Sequence, residues 1–123
     1  MKGRVLIADD AAFMRQMIRD ILEAEGLEVV GEAVDGVEAV EAFEQLHPDL
    51  VTMDIVMPRC SGIDAVKRIL ALDPGARIVM CSALGQETLV MEAVQAGAKD
   101  FIVKPFKPES VGVTLKKVLE KSE

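Results

Sequence analysis

A chain of 123 residues with a formal charge of −7 at pH 7 can bury one core but not two, so residues 1–123 are read as a single domain. The acidic balance argues against a nucleic-acid surface, whose affinity rests on Lys and Arg neutralising phosphates, and four Phe with no Trp or Tyr offer no platform for stacking bases. No apolar run approaches the roughly 20 residues that cross a bilayer, no basic-then-apolar leader opens the chain, and Cys60 and Cys81 lack metal-ligand spacing; these features predict a cytoplasmic protein with reduced, structural thiols.

In chain order, residues 4–8 read as a strand, and Asp10 is expected to cap a helix whose apolar residues Phe13, Met17, Ile18, Ile21 and Leu22 recur at helical spacing. Gly26 stops that helix by tolerating the left-handed conformation. Residues 27–33 form a second strand, Asp35-Gly36 a turn, and Val37, Val40, Phe43 and Leu46 one stripe of a second helix that ends before His47-Pro48. Residues 50–53 are a third strand, followed by a loop rich in Pro and Gly that leads into a helix carrying Ile63, Val66, Ile69 and Leu70. Residues 78–81 form the fourth strand, 86–96 a helix stopped by Gly97, and 101–103 the fifth strand. Val111, Leu115, Val118 and Leu119 mark a closing helix begun near Pro108, and the chain then stops, so no output domain is expected. Strands alternating with helices predict an α/β fold built on a mostly parallel sheet.

Four of the apolar runs halt abruptly at polar residues: Asp9 and Asp10, Asp54, Ser82 and Lys104. In an open parallel sheet the carboxyl ends of the strands converge on one edge, so these residues are expected to meet there. Three carboxylates so placed repel one another unless a cation intervenes, and an all-oxygen donor set completed by water suits Mg²⁺. Lys104 and Ser82 would stabilise a phosphoryl group in transfer, and Asp54 would be its nucleophile, forming an aspartyl phosphate.

The Asp9-Asp10 pair, Asp54 followed by Met57-Pro58 and Gly62, Ser82-Ala83, Ala96-Gly97-Ala98, and Lys104-Pro105-Phe106 together resemble the receiver domains of two-component response regulators, in particular the stand-alone chemotaxis regulators. The resemblance spans essentially the whole chain. It implies a flavodoxin-like, doubly wound sheet of five parallel strands in the order 2-1-3-4-5 flanked by five helices. It further implies that Asp54 accepts phosphate from a histidine kinase. Asp10, Asp54 and the backbone carbonyl of Val56 would bind Mg²⁺ directly and Asp9 through water, while Lys104 pairs with the phosphoryl group, Ser82 moves inward to it, and Lys104-Pro105 is cis. Phe101 would act as the switch, and Val90, Ala98, Phe101 and Val103 would lie where chemotaxis regulators meet the flagellar motor switch protein. Phe101 stands where several relatives have Tyr, and loses the hydroxyl that would hold a rotamer. Val56 and Leu84, two residues past Asp54 and Ser82, flank the path of an attacking water in receivers; both are apolar here, which predicts slow self-dephosphorylation and a separate phosphatase. The protein so read is a monomeric stoichiometric phosphoacceptor rather than an enzyme.

Plainer readings exist for each residue alone. An Asp-Asp pair is commonly a helix cap beside a solvated neighbour, Ser82 a helix-start residue, Phe101 core, and His47 an exposed helix end. The alternatives at the level of function are a receiver in a phosphorelay unrelated to motility, a receiver that binds proteins without accepting phosphate, and an aspartyl-phosphate phosphatase of the haloacid-dehalogenase type. The last places two acids two residues apart on its first strand, whereas Asp9 and Asp10 are adjacent.

Overall fold

The computed structural model describes residues 3–120. Strands and helices alternate as β1 (Arg4–Ala8), α1 (Ala12–Ala24), β2 (Glu28–Ala33), α2 (Gly36–Leu46), β3 (Leu50–Asp54), α3 (Gly62–Leu72), β4 (Ile78–Ser82), α4 (Glu87–Ala96), β5 (Asp100–Val103) and α5 (Pro108–Glu120). The strands form one parallel sheet in the order β2-β1-β3-β4-β5. Both faces of a parallel sheet are covered by its crossover helices, which is why the central strands β3 and β4 are buried at every position.

Alternate residues of these strands serve two separate cores. Leu6, Ala8, Val51, Met53, Ile78 and Met80 pack with α2, α3 and α4, through Phe43, Val66, Ile69 and Ala93 among others. Val5, Ile7, Leu50, Val79 and Cys81 point the other way and pack with Ile18 and Leu22 of α1 and Val111, Leu115 and Val118 of α5. Each fully buried Leu or Ile contributes about 1.5–3 kcal/mol of transfer free energy. The two layers fix the sheet from both sides and leave its carboxyl edge open.

Polar ties close the ends. Arg4 donates from its guanidinium to the carbonyls of Leu46 and His47, which satisfies acceptors left free at the end of α2. His47 itself takes the left-handed conformation there (φ 48°) and is exposed, as the sequence suggested. Arg15 and Arg19 of α1 both reach Glu32 on the edge strand β2, at 2.8 and 2.7 Å. Hydrogen bonds from Arg19, then from Arg15, hold the Glu32 carboxyl below its usual range against the opposing effect of burial.

Several boundaries differ from the sequence reading. Asp10 does not cap α1: the N-cap is Ala11, and it is Asp9 whose Oδ1 accepts the Ala11 N–H at 2.9 Å, leaving Asp10 one residue too early and exposed. Phe13 lies outside the buried stripe of α1, 72% exposed, because the helix meets the sheet only through the Ile18–Leu22 side. Asp35-Gly36 is not a free turn: Asp35 is the N-cap of α2, accepting from the Glu38 N–H at 2.8 Å, and Gly36 begins the helix. Gly26 does take positive φ after α1, and Lys104-Pro105 is cis.

Candidate functional site

Asp9 follows β1, Asp54 ends β3, Ser82 ends β4 and Lys104 follows β5, so four neighbouring strands deliver these groups to one edge of the sheet. The sheet register places Asp54 opposite Cys81 and Ser82 opposite Val103, one step before Lys104. A backbone hydrogen bond from Lys104 to the Ser82 carbonyl, 2.7 Å, extends the ladder past the last strand residue and fixes where the lysine stem starts. The strands therefore set the spacing of the site.

The Lys104 ammonium lies 3.3 Å from Asp54 Oδ1 and 3.4 Å from Asp9 Oδ2. Asp9 is 1% exposed and Asp54 6% exposed, while Asp10 stands in solvent beside them. One carboxylate oxygen from each of Asp9, Asp10 and Asp54 falls within 4.8 Å of the others. At that separation each like-charge pair costs on the order of 3 kcal/mol at an effective dielectric of about 20, and with one ammonium beside three carboxylates the cluster keeps a net negative charge. Burial is the main cause that lifts the Asp54 carboxyl to about 6; the neighbouring Asp9 carboxylate adds to it, Lys104 opposes it, and Asp10 adds a little more. Burial also works against the charge on Lys104, but Asp54 and Asp9 outweigh it and hold its ammonium above the ordinary range. Burial pushes the Cys81 thiol far up, with Asp54 reinforcing it, so this cysteine stays a neutral thiol beneath the site.

Asp9 Oδ2 is buried and accepts no hydrogen bond, despite its ion-pair distance to Lys104. A buried carboxylate oxygen without a donor costs free energy unless a cation or water fills the gap. The residues fit a divalent cation of the Mg²⁺ type: the donors are all oxygens, too few for a closed cage and open to water on the Asp10 side. The third donor foreseen from sequence, the Val56 carbonyl, belongs to a residue that is 55% exposed in the loop after β3.

That loop is held at both ends by close backbone approaches. A Cβ at Gly62 would overlap the Asp54 carbonyl, and the Gly62 N–H donates to Ile55 O at 2.8 Å, so α3 starts directly beneath the acidic cluster. A Cβ at Gly36 would overlap the Cys60 carbonyl, to which the Gly36 N–H donates at 3.0 Å. The Arg59–Asp35 ion pair, 2.7 Å, crosses the same junction and was not foreseen, because its partners are 24 residues apart in sequence. Two further polar features were also missed. Gln86 accepts the Ala83 N–H at 2.6 Å with its side-chain carbonyl, tying down the loop after β4, and the Thr52 hydroxyl is buried in β3 with no partner.

The expected switch and partner residues divide in two. Phe101 and Val103 are about two-fifths exposed on β5, whereas Val90 and Ala98 are buried, because each turns inward to the α3–α4 core. Leu84 and Met91, at 79% and 58% exposed, carry more of the apolar surface of this face. A cleft of about 250 Å³ lies between the loop after β4 and Phe101, lined by Ser82, Leu84, Val90, Met91, Phe101 and Val103. A larger one of about 440 Å³ opens on the other side of Phe101, toward Lys107, Ser110 and Thr114 of α5.

A family model described as the response regulator receiver domain matches residues 5–116. The chemotaxis protein CheY of Thermotoga maritima is 59% identical over 118 residues, 96% of this chain and 98% of that protein. The CheY of Bacillus subtilis is 57% identical over 119 residues, 97% of this chain and 99% of that protein. Among solved structures, a CheX–CheY–BeF3–Mg²⁺ complex from Borrelia burgdorferi matches with a TM-score of 0.89 and 39% identity over 94% of this chain and 87% of that one.

Proposed function

Because this chain belongs to the response regulator receiver family, we propose that Asp54 is the phosphoacceptor of a CheY-type regulator, taking its phosphoryl group from a histidine kinase and signalling by protein binding. The observation that carries this reading is the Asp54 carboxylate at the end of a buried strand, paired with Lys104 and crowded by Asp9 and Asp10.

The transfer follows from the residues. An Asp54 carboxylate oxygen attacks phosphorus as the N–P bond of the donor phosphohistidine breaks; the electron pair stays on the imidazole and an acyl phosphate remains on Asp54. Lys104, already 3.3 Å from the carboxylate, offers its ammonium to the phosphoryl oxygens as charge builds on them. The Ser82 hydroxyl, 2% exposed at the end of β4, hydrogen-bonds the same oxygens once the following loop moves inward. Asp10, Asp54 and the Val56 carbonyl would hold Mg²⁺ directly and Asp9 through water; when bound, the ion neutralises phosphoryl charge and relieves the carboxylate repulsion. Burial around Asp54 narrows the access of water to the reacting carboxylate, leaving the Asp10 side open.

Inward movement of the loop leaves the 250 Å³ cleft for Phe101 to enter, which would remodel the face formed by α4, β5 and α5. That face, with Phe101 and Val103 at its centre and Val90 and Ala98 beneath it, is the surface we assign to the flagellar motor switch protein. The high identity to chemotaxis proteins over nearly the full chain favours this partner over a receiver in an unrelated phosphorelay. The Borrelia complex, in which a relative is joined to CheX, BeF3 and Mg²⁺, supports both the metal and a second protein partner, which we read as the separate phosphatase. On this reading the protein is a cytoplasmic, monomeric, stoichiometric phosphoacceptor; among the described residues no helix is long and apolar enough to cross a membrane.

The test is phosphotransfer from a purified kinase domain carrying labelled phosphohistidine. Label should move to the wild type and not to Asp54→Asn, with one equivalent taken up. Catalytic hydrolysis of a phosphate monoester beyond one equivalent would instead indicate a phosphatase.

A further inference from the structure

The segment 55–61 carries the Val56 carbonyl, yet no ladder holds its middle. Its ends are fixed by Gly62 beneath the Asp54 carbonyl and by Gly36 against Cys60. Between them Arg59 takes φ 67°, a left-handed conformation that costs a residue with a Cβ roughly 1–2 kcal/mol. The same residue forks onto Asp35: Nε donates to Oδ2 at 2.7 Å and Nη2 to Oδ1 at 3.3 Å. Asp35 is 5% exposed and already committed as the N-cap of α2. Its carboxyl is held below the usual range, first by the Arg59 hydrogen bonds and then by the Glu38 N–H.

The short stretch from Val56 to Arg59 transmits position well. Met57 is buried in the core shared by α2, α3 and α4, Pro58 has a fixed φ, and the Cys60 N–H donates to the Pro58 carbonyl at 2.7 Å. Movement of Arg59 therefore swings a stiff arm on whose other end Val56 sits. A left-handed arginine clasping a buried helix cap across 24 residues of sequence is a poor choice for stability alone, since Gly or Asn would adopt φ 67° at less cost.

We propose that Arg59 is a positioning residue for the metal site: by clasping Asp35 it holds the loop after β3, and with it the Val56 carbonyl that would join Asp10 and Asp54 around the ion. The inference rests on the reading of the acidic cluster as a Mg²⁺ site. It assigns Arg59 no contact with the ion or the phosphoryl group. The α2 N-terminus thereby becomes part of the frame of the site, although no residue of α2 reaches it.

The experiment is calorimetric titration of the full chain with Mg²⁺, comparing wild type, Arg59→Gly, Arg59→Lys, Asp35→Ser and the double variant Arg59→Gly/Asp35→Ser. Gly accepts φ 67° without strain, Lys keeps the charge but not the fork, and Ser keeps the helix cap but not the ion pair. Urea unfolding in chelator and amide exchange of the metal-free proteins run alongside. The expected result is a loss of about three- to tenfold in Mg²⁺ affinity for Arg59→Gly and for Asp35→Ser, smaller than for a fully buried outer-shell partner because the Arg59 side chain is 58% exposed. The double variant should be no weaker than the weaker single one, Lys should fall between, and amides 56–60 of metal-free Arg59→Gly should exchange faster while global stability stays close to wild type. Wild-type binding with all variants within twofold of it, or unchanged exchange at 56–60, would overturn the positioning role alone. No Mg²⁺ binding by the wild type would overturn the metal reading and this inference with it.

Discussion

Replacing Asp54 by Asn should stabilise the metal-free protein at neutral pH while abolishing its chemistry. Burial, with Asp9 and then Asp10 against Lys104, raises the Asp54 carboxyl from 3.8 to about 6. A folded-state value above the unfolded one means that folding favours the protonated acid: its contribution is fully present below about 3.8, fades as pH rises through about 6, and leaves an ionised, penalised carboxylate above that. The difference corresponds to about 3 kcal/mol at about 1.36 kcal/mol per tenfold. Asn removes the charge but also a partner of Lys104, 3.3 Å away, and some solvent still reaches the site, so the net gain should be about 1–2 kcal/mol. Urea unfolding in chelator at pH 4, 6 and 8 measures it. The variant should be the more stable at pH 8, with the gap closing toward pH 4. Equal stability at both extremes, or a variant less stable at pH 8, would refute the picture of a strained acidic cluster. Saturating Mg²⁺ should then stabilise the wild type and leave Asp54→Asn nearly unmoved, because the ion binds only the folded cluster.

Other changes probe the frame and the switch. Lys104→Ala leaves Asp9 and Asp54 without their ammonium and should lower metal-free stability at pH 8 by about 1–3 kcal/mol in urea unfolding, while slowing phosphorylation at saturating Mg²⁺. Gly62→Ala forces a Cβ into the Asp54 carbonyl and should cost about 2–4 kcal/mol by the same assay, with no comparable loss at the open position Gly85→Ala beyond its backbone strain. Val56 and Leu84, exposed and apolar, offer no group to orient an attacking water, so the phosphorylated form should decay over minutes or longer once the donor is removed; a half-life of seconds, followed by intact mass, would contradict this. Phe101→Ala should leave phosphorylation unchanged and weaken binding of the phosphorylated protein to a motor switch peptide by about tenfold, read by fluorescence anisotropy.

The strand ends were legible because each buried run stops at a polar residue, and a parallel sheet brings such ends together: Asp9, Asp54, Ser82 and Lys104 lie along one edge as the sequence implied. Strand order came from the resemblance, since apolar periodicity records which residues are buried and not which strands are neighbours. Adjacent aspartates exposed the limit of local rules: both Asp9 and Asp10 could serve a helix start, and the backbone decides for Asp9. Phe13 and Val90 show the same limit for hydrophobicity, since one apolar residue of α1 points to solvent and one expected surface residue of α4 is buried. The Arg59–Asp35 pair and the Gln86–Ala83 tie have no sequence signature, because loop geometry alone brings their partners together.

The central claim is that Asp54 is a metal-dependent phosphoacceptor, and intact mass after incubation with Mg²⁺ and a small acyl phosphate tests it most directly. The account predicts a gain of one phosphoryl group in the wild type, lost in Asp54→Asn and lost again when Mg²⁺ is chelated. An unmodified wild type, or an Asp54→Asn variant that gains the same mass, would contradict it.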